Sequence, residues 1–336
     1  MSITLSMDCQ RECFLVNGQP TFLLGASYYG GLALETSEVE KDFVELVRLG
    51  FNWVRLWCTW GAFGNDVAAV DTKGRAREPY LTRLLDMCRL GERLGLIVDV
   101  TFSRGIPTEA QAANEAVYKY ASRPWMYSPV VTHQDHMEAV RTITTALRFL
   151  RNVYIDVANE RNCPAQFPLS FTDAGDMIRL VHELDPERLV TVSHGSDIPD
   201  AAVADYVLTA GVDFLTPHCE RSAKSARQMA DKTRHYRQLL AEVGRPMPVH
   251  MQEPFRCDFS PWQPTAEDFL IDLAGAVQGG AAGWCFHNGY NCHSQDWRPR
   301  RSFDLREGRL FEQLDETERS VVSGAATVVS ETKRDC

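Results

Sequence analysis

Short apolar runs alternate with amphipathic segments along almost the whole chain, and this alternation most constrains the fold. Each run has the length and the β-branched or aromatic content of a buried strand, and a segment with helical spacing or a long loop follows most of them. Repeated strand–helix units predict a parallel sheet covered by helices. The eight predicted strands lie at residues 22–29, 51–57, 96–102, 153–160, 189–194, 213–218, 249–253 and 283–287.

Eight units favour a closed (β/α)8 TIM barrel in the α/β class. An open dinucleotide-binding sheet is disfavoured, because no Gly-x-Gly-x-x-Gly follows the first strand. Residues 14–22 predict a short N-terminal β-hairpin over the closed bottom of the barrel, since Asn17-Gly18 is a turn signal. The connections at 103–131 and 288–309, after strands 3 and 8, are long, and long loops are usually functional.

Composition narrows the class of protein. The chain has 336 residues, of which 44% are hydrophobic and 24% charged, enough for one catalytic barrel domain spanning residues 1–336. A net charge of −10 without a basic block argues against nucleic acid and anionic membranes as partners. The N-terminus lacks a secretory leader, and no apolar stretch has membrane-spanning length, so we expect a cytoplasmic protein as written. The sequence indicates no oligomeric state.

Two glutamates carry the strongest functional signal. Glu160 closes the fourth predicted strand and Glu253 closes the seventh, and a polar loop containing proline follows each. Catalytic groups of parallel barrels collect at these strand ends, and two facing carboxylates are the equipment for glycoside hydrolysis. Arg55, within the second strand, needs a carboxylate partner if it is buried, either in a structural ion pair or beside a catalytic glutamate.

Histidines and aromatic residues near other strand ends are further candidates. His218 ends the sixth strand, while Trp284 and His287 belong to the eighth. Such residues bind sugars in many sites, although each one taken singly also fits core packing. Aromatic residues in the loops are candidate platforms for a sugar ring: Trp57, Trp60, Trp125, Tyr127 and Trp297.

The chain resembles the cellulase-like retaining β-glycosidases of glycoside hydrolase clan A, near family 5. The resemblance is carried by the segment 16–28, which ends in Tyr28, by Arg55, by the pair Asn159-Glu160 and by Glu253, in this order along the barrel. It implies that Glu160 is the acid/base, that Glu253 is the nucleophile, and that Asn159 binds the sugar 2-hydroxyl. Cleavage of this kind requires no cofactor and no metal, and its partner is a carbohydrate substrate.

The chemistry of this pair predicts opposite electrostatic environments for the two glutamates. In a retaining enzyme one carboxyl must be protonated to assist the leaving group and the other must be ionised to attack. We therefore expect neighbouring negative charge to raise the pKa of Glu160, and a cation such as Arg55 to keep Glu253 ionised.

Three departures from the family pattern stand near the predicted site. Family 5 members usually carry a histidine near the end of strand three, a tyrosine two places after the strand-six histidine, and Gly-Trp-x-x-Trp on strand eight. This chain has Asp99-Val-Thr101-Phe-Ser103, Glu220 and Gly-Trp-Cys-Phe-His287 at these places. The sugar-binding subsite is therefore expected to be reshaped, and Glu220 is a second candidate for a catalytic role.

Two other kinds of function remain open from the sequence. A metal-dependent barrel hydrolase would use residues near the strand ends, although the usual His-x-His on the first strand is absent. A barrel that binds carbohydrate without cleaving it would lack one of the two glutamates, and both are present. The candidate metal ligands are His194, His218, Glu220, His250, His287 and His293.

Overall fold

A computed structural model describes residues 3–8, 10, 12–61, 66–106, 128–164, 166–259, 261–289 and 305–335. Within these ranges the strands β1 to β10 are, in chain order, Leu5–Met7, Phe14–Val16, Gln19–Pro20, Leu23–Tyr28, Trp53–Trp57, Ile97–Thr101, Val153–Asp156, Val190–Thr191, His250–Met251 and Gly283–Phe286. The helices α1 to α9 are Thr36–Arg48, Tyr80–Leu94, His133–Leu147, Phe171–Leu184, Asp200–Ala204, Ser225–Glu242, Ala266–Gly279, Leu310–Gln313 and Glu316–Asp335. None of the described helices is long and apolar enough to cross a membrane.

The main sheet is parallel and closes into the predicted barrel. Its strands are hydrogen-bonded in the order β8-β7-β6-β5-β4-β10-β9. The predicted sixth barrel strand is present as two isolated parallel bridges, His194 to Pro217 and Leu215 to Val249. These bridges join the β8 segment to the β9 segment, so the ring of eight closes. The (β/α)8 prediction is therefore confirmed.

The N-terminal strands form a separate antiparallel sheet in the order β1-β2-β3. Asn17 and Gly18 make the predicted turn with φ of 51° and 77°. Phe14 of β2 is fully buried against Phe214, with ring centroids 5.1 Å apart. It belongs to an apolar cluster with Leu23, at the start of β4. The hairpin thus covers the amino-terminal end of the barrel strands, which leaves their carboxyl ends for the site.

Some helix ends coincide with capping signals, although α1, α2 and α6 begin without a side-chain cap. Ser170 and Thr265 each form a capping box, at the starts of α4 and α7. Gly95 ends α2 in the left-handed conformation, with φ of 82°. The two predicted long loops separate β6 from α3 and β10 from α8, but their central parts, residues 107–127 and 290–304, lie outside the described residues.

Candidate active site

The barrel brings Glu160 and Glu253 together at the carboxyl ends of its strands. Glu160 follows β7 by four residues and Glu253 follows β9 by two. One carboxylate oxygen of each lies within 4.8 Å of the other and of a ring nitrogen of His218. Glu253 is buried, whereas the side chain of Glu160 is 22% exposed. Two acidic side chains from distant parts of the sequence therefore face one another at the open end of the barrel.

Glu160 is held by its backbone in an unusual conformation. Its φ is 47°, in the left-handed region, and its N–H donates to Ser193 Oγ at 2.9 Å. Buried Arg104 donates to the carbonyl oxygens of Asn159 and Glu160 at 2.9 and 3.0 Å. A Cβ on Gly195 would lie only 3.2 Å from Cδ of Glu160. Contacts from Arg104, Ser193 and Gly195 therefore fix the direction of the Glu160 carboxyl group.

Glu253 accepts hydrogen bonds from three guanidinium groups. Its Oε2 accepts from Arg55 at 2.7 Å, and its Oε1 accepts from Arg221 at 2.7 Å and from Arg256 at 3.1 Å. Charge-assisted contacts of this kind favour the ionised carboxylate. Arg55 therefore lies beside Glu253, as the sequence predicted. Arg221 and Arg256 supply two further cations that were not predicted.

The pKa of Glu253 is well below its ordinary value. Burial alone would raise it, but the rings of His218 and His287 and the guanidiniums of Arg256 and Arg221 lower it by more. At neutral pH this carboxylate therefore carries its negative charge without a bound proton, as a nucleophile requires.

Arg55 anchors the site from below. It is fully buried on β5, and it forms ion pairs with Asp99 and Asp156, each at 3.2 Å, besides its contact with Glu253. Its Nη2 also donates to Oδ1 of Asn159 at 2.9 Å. Burial raises the pKa of Asp99 to about 7, although Arg55 acts to lower it. Arg55 thus links the second barrel strand to the third, the fourth and the end of the seventh.

His218 connects the two glutamates to a hydrogen-bonded chain. Its Nδ1 lies 3.1 Å from Glu160 Oε1 and 3.5 Å from Glu253 Oε2, and its Nε2 lies 3.2 Å from Gln252 Oε1. Gln252 Nε2 donates to Asp99 Oδ2 at 2.6 Å, so its amide oxygen faces His218. Because that oxygen only accepts, His218 Nε2 carries a hydrogen. His218 therefore turns its Nδ1 toward both glutamates.

The pKa of Glu160 is lowered, opposite to the predicted direction. Burial raises it and so does the charge of Glu253, as expected, but the hydrogen bond with His218 and the charges of His218 and Arg221 together outweigh both. Sequence reasoning placed the like charge correctly and missed this hydrogen bond.

Four of the predicted substrate-binding residues meet at the glutamates. Arg55, Asn159 and His218 make the contacts given above. His287 Nδ1 lies 3.2 Å from the hydroxyl of Tyr29, and its Nε2 lies 3.3 Å from the carbonyl oxygen of Gln252. Burial lowers the pKa of His287 well below its ordinary value, despite the opposing charge of Glu253.

Three other predicted residues are not brought to this place. Tyr28 donates to Asp42 of α1 at 2.7 Å, and Trp284 Nε1 donates to Asp272 of α7 at 2.7 Å, so both side chains face the helices outside the barrel. Glu220 is exposed, and its backbone N–H donates to an aspartate of the preceding loop. Successive side chains of a strand point to opposite faces, which explains why Tyr28 faces outward.

The residues that the prediction missed stand next to those that it named. Tyr29, Arg221 and Gln252 adjoin Tyr28, Glu220 and Glu253 in the sequence. Arg256 follows three residues after Glu253 and donates to the Tyr29 hydroxyl at 3.1 Å. A charged residue in the loop immediately after a barrel strand is the signal that could have identified the two arginines.

Of the predicted aromatic platforms, Trp57 and Trp60 are buried beside Tyr29. The rings of Tyr29 and Trp57 stack with centroids 4.6 Å apart, and Trp57 and Trp60 meet at 5.2 Å. They pack together as a wall behind the site. Trp125, Tyr127 and Trp297 lie outside the described residues.

The arrangement does not favour a metal ion between the glutamates. Glu160, His218 and Glu253 have the spacing of a ligand set. However, the guanidiniums already occupy both oxygens of Glu253, and they would repel a cation. His250 lies lower in the barrel, 3.0 Å from the hydroxyl of Tyr154, and burial lowers its pKa to about 3. Of the other metal candidates, His293 is outside the described residues and His194 contacts the hydroxyl of Tyr206 at 2.8 Å.

A second group with ligand-like spacing consists of Cys257, Asp315 and Glu318. The last two are engaged at the start of α9, where the side chain of each accepts from the backbone N–H of the other. This reciprocal pairing is how a helix N-terminus is capped, so these carboxylates already have a structural role.

No protein-family model and no curated protein sequence matches this chain. Solved structures do resemble it. The glycoside hydrolase family 5 mannosidase from Rhizomucor miehei has a TM-score of 0.67 at 12% identity, covering 99% of both chains. The endo-1,4-β-mannanase from the same organism has a TM-score of 0.60 at 14% identity, covering 98% of this chain and 99% of that one. The hyperthermostable endo-1,4-β-D-mannanase from Thermotoga petrophila RKU-1 has a TM-score of 0.60 at 12% identity, covering 94% and 100%.

Similarity at these identities establishes the fold. The chain shares its barrel fold with these three enzymes along nearly its full length. The fold expected from the clan A resemblance is therefore confirmed. Activity and residue roles must be argued from the site itself.

Proposed function

We propose that this protein is a retaining glycoside hydrolase of the clan A type, which cleaves β-glycosidic bonds of an oligo- or polysaccharide. The observation that carries the proposal is the meeting of Glu160 and Glu253, whose oxygens lie within 4.8 Å at the open end of the barrel. Retaining enzymes hold their two carboxyl groups about 5–5.5 Å apart, and inverting enzymes hold them farther apart to admit a water.

The environments of the two glutamates support different roles. Glu253, paired with three guanidiniums and 4% exposed in its side chain, is suited to attack the anomeric carbon as an ionised nucleophile. Glu160 is more exposed, at 22%, and its Oε1 lies 3.1 Å from His218 Nδ1. A group that must reach a leaving oxygen first and a water molecule later needs such access.

The proposed reaction has two steps. Glu253 bonds to the anomeric carbon while Glu160 gives its proton to the departing oxygen, and Glu160 then takes a proton from the water that releases the sugar. His218 holds the carboxyl group of Glu160 in position through the contact of its Nδ1 with Oε1 at 3.1 Å. Asn159, oriented by Arg55, would bind the sugar 2-hydroxyl. The Rhizomucor miehei mannosidase has been solved with mannosyl-fructose, and a carbohydrate substrate is proposed here by analogy.

A panel of 2-deoxy-2-fluoro glycosides with activated leaving groups tests the proposal. We expect the intact mass to rise by one fluorosugar, and peptide mapping to place the label on Glu253. A label on Glu220 would keep the enzyme class but refute the residue assignment. No label from any sugar, with the protein folded, would count against a retaining glycosidase acting on the sugars of the panel.

Variants of the two glutamates test their roles separately. Glu253→Ala should abolish turnover, because Glu253 is the carboxylate that faces Glu160 and would form the glycosyl-enzyme. Glu160→Ala should be slow on ordinary substrates, but azide should restore activity on activated substrates with retained configuration. Equal rescue of the two variants would contradict the assignment.

A further inference from the structure

The most unusual feature of the site is the number of guanidiniums on one carboxylate. Arg55 has its own counter-charges in Asp99 and Asp156. Arg221 and Arg256 nevertheless both donate to the same oxygen of Glu253. Among the described residues, Arg221 forms an ion pair with Glu253 and with no other carboxylate. Arg55 alone supplies a cation that keeps Glu253 ionised, so Arg221 and Arg256 exceed what a nucleophile needs.

Arg221 is placed where a substrate can reach it. It stands three residues beyond His218, in the loop at the open end of the barrel, and its side chain is 10% exposed, whereas Arg55 is completely buried. Its guanidinium carbon lies 4.1 Å from the centroid of the Phe259 ring, and that of Arg256 lies 5.3 Å from the same ring. Stacking on the ring sets the orientation of the guanidinium before any ligand arrives.

The proposed chemistry removes the charge that these arginines face. In the first step a bond forms between Glu253 and the anomeric carbon, the bond to the leaving oxygen breaks, and the proton of Glu160 moves to that oxygen. Glu253 becomes a neutral ester and the negative charge passes to Glu160, whose carboxylate contacts His218. Arg221 then donates to the oxygen of a neutral ester, a weaker acceptor than the carboxylate it replaces, while the negative charge lies on Glu160.

An anionic group on the sugar would compensate for this weaker contact. We propose that the substrate carries an oxyanion, either the carboxylate of a uronic acid or a phosphate ester, which contacts the guanidinium of Arg221 on binding and replaces Glu253 as its counter-charge when the glycosyl-enzyme forms. The planar guanidinium fork suits both groups, since each presents two oxygens to paired N–H donors. The inference rests on the proposed function and specifies its substrate class.

Calorimetric titration of the wild-type protein with free sugars tests the inference without relying on turnover. The ligands are D-glucose, D-glucuronate and D-glucose 6-phosphate, together with the corresponding mannose series. We expect at least one anionic sugar to bind about 10-fold or more tightly than its parent hexose, as contacts with a charged group usually provide. Preference for the uronate or for the phosphate distinguishes the two sources of the oxyanion.

Two variants connect this preference to the arginine. Arg221→Gln should reduce the difference between anionic and neutral sugar to less than about 2-fold, and Arg221→Lys, which keeps the charge but loses the fork, should retain part of it. Arg245→Gln, at an exposed arginine in the turn after α6, should leave the preference intact. Equal binding of anionic and neutral sugars by the wild type, or no binding of any anionic sugar, overturns the inference. Equal weakening of both sugars in Arg221→Gln overturns it too.

The two proposals can fail separately. Labelling of Glu253 by neutral fluorosugars, without any preference for anionic sugars, would leave the glycosidase standing and remove the substrate class. Arg221-dependent binding of anionic sugars, without labelling by any neutral or anionic fluorosugar, would leave an anion-recognising site and remove the proposed reaction.

Discussion

Asp272 offers a direct test of how burial changes the pKa of a carboxyl group and, through it, the stability of the barrel. It lies on α7, fully buried, where its Oδ2 accepts from Trp284 Nε1 at 2.7 Å. Its Oδ1 has no hydrogen-bond partner among the described residues. Burial raises the pKa of Asp272 from 3.8 to about 8, although the hydrogen bond from Trp284 and the charge of Lys232 both lower it. The perturbation is Asp272→Asn, which keeps the acceptor for Trp284.

The expected effect has a definite sign. In the unfolded chain Asp272 ionises near 3.8, and in the folded protein near 8. As pH rises through this window the unfolded state loses its proton first, so the wild type loses stability, and the loss is complete above the folded pKa. The asparagine variant has no such loss. At about 1.4 kcal/mol per pKa unit, its advantage should grow by about 4 kcal/mol at most between roughly pH 5 and pH 9.

The assay is urea unfolding of both proteins at several pH values across this window. The free-energy difference should be small at the acidic end and increase steadily as the pH rises. Asp231→Asn, at an exposed aspartate of α6, is the matched control for loss of a surface charge. A difference between wild type and Asp272→Asn that does not change with pH would refute the argument from burial.

Two further predictions concern the groups proposed to be catalytic. Gly195→Ala places a methyl group 3.2 Å from Cδ of Glu160 and 3.4 Å from Oδ1 of Asn162. On the sugar that labels the enzyme, kcat should therefore fall by about 10- to 100-fold with little change in Tm. An unchanged kcat would show that Glu160 adjusts freely. Gln252→Met removes the oxygen that faces His218 Nε2. The ring ¹⁵N shifts of His218 should then lose the preference for a hydrogen on Nε2, with kcat/KM lower by about 10-fold, whereas unaltered shifts would mean that Gln252 does not set the tautomer.

The barrel and its two glutamates could be predicted from the sequence for a simple reason. Apolar runs of strand length, repeated with helical segments between them, leave few packing solutions, and in a parallel barrel every strand ends at the same rim. A polar residue just after such a run is therefore located in space once the strand is recognised. Glu160, Asn159 and Glu253 are of this kind, and Arg55 follows because a buried cation must find carboxylates.

The predictions were wrong where adjacent strand residues point to opposite faces of the sheet and only one of them points into the barrel. Tyr28 and Tyr29 are chemically almost identical, yet one donates to Asp42 outside the barrel and the other meets His287 inside it. Trp284 likewise faces α7. Side chains alternate along a strand, so a shift of one residue exchanges the two faces, and periodicity read from a fully apolar strand does not reveal which face is inner.

The sequence by itself determined the class of fold, the end of the barrel at which the candidate site lies and the two acidic residues that face each other there. Only the tertiary structure decided the electrostatics of the pair. Arg221, Arg256 and His218 lie far from Glu160 in the chain or in other loops, and their contacts exist only when the barrel closes. A pKa depends on the groups within a few ångströms of the titrating atom. The lowered pKa values of Glu160 and Glu253 therefore depend on contacts that form only in the folded barrel, and the sequence alone does not give them.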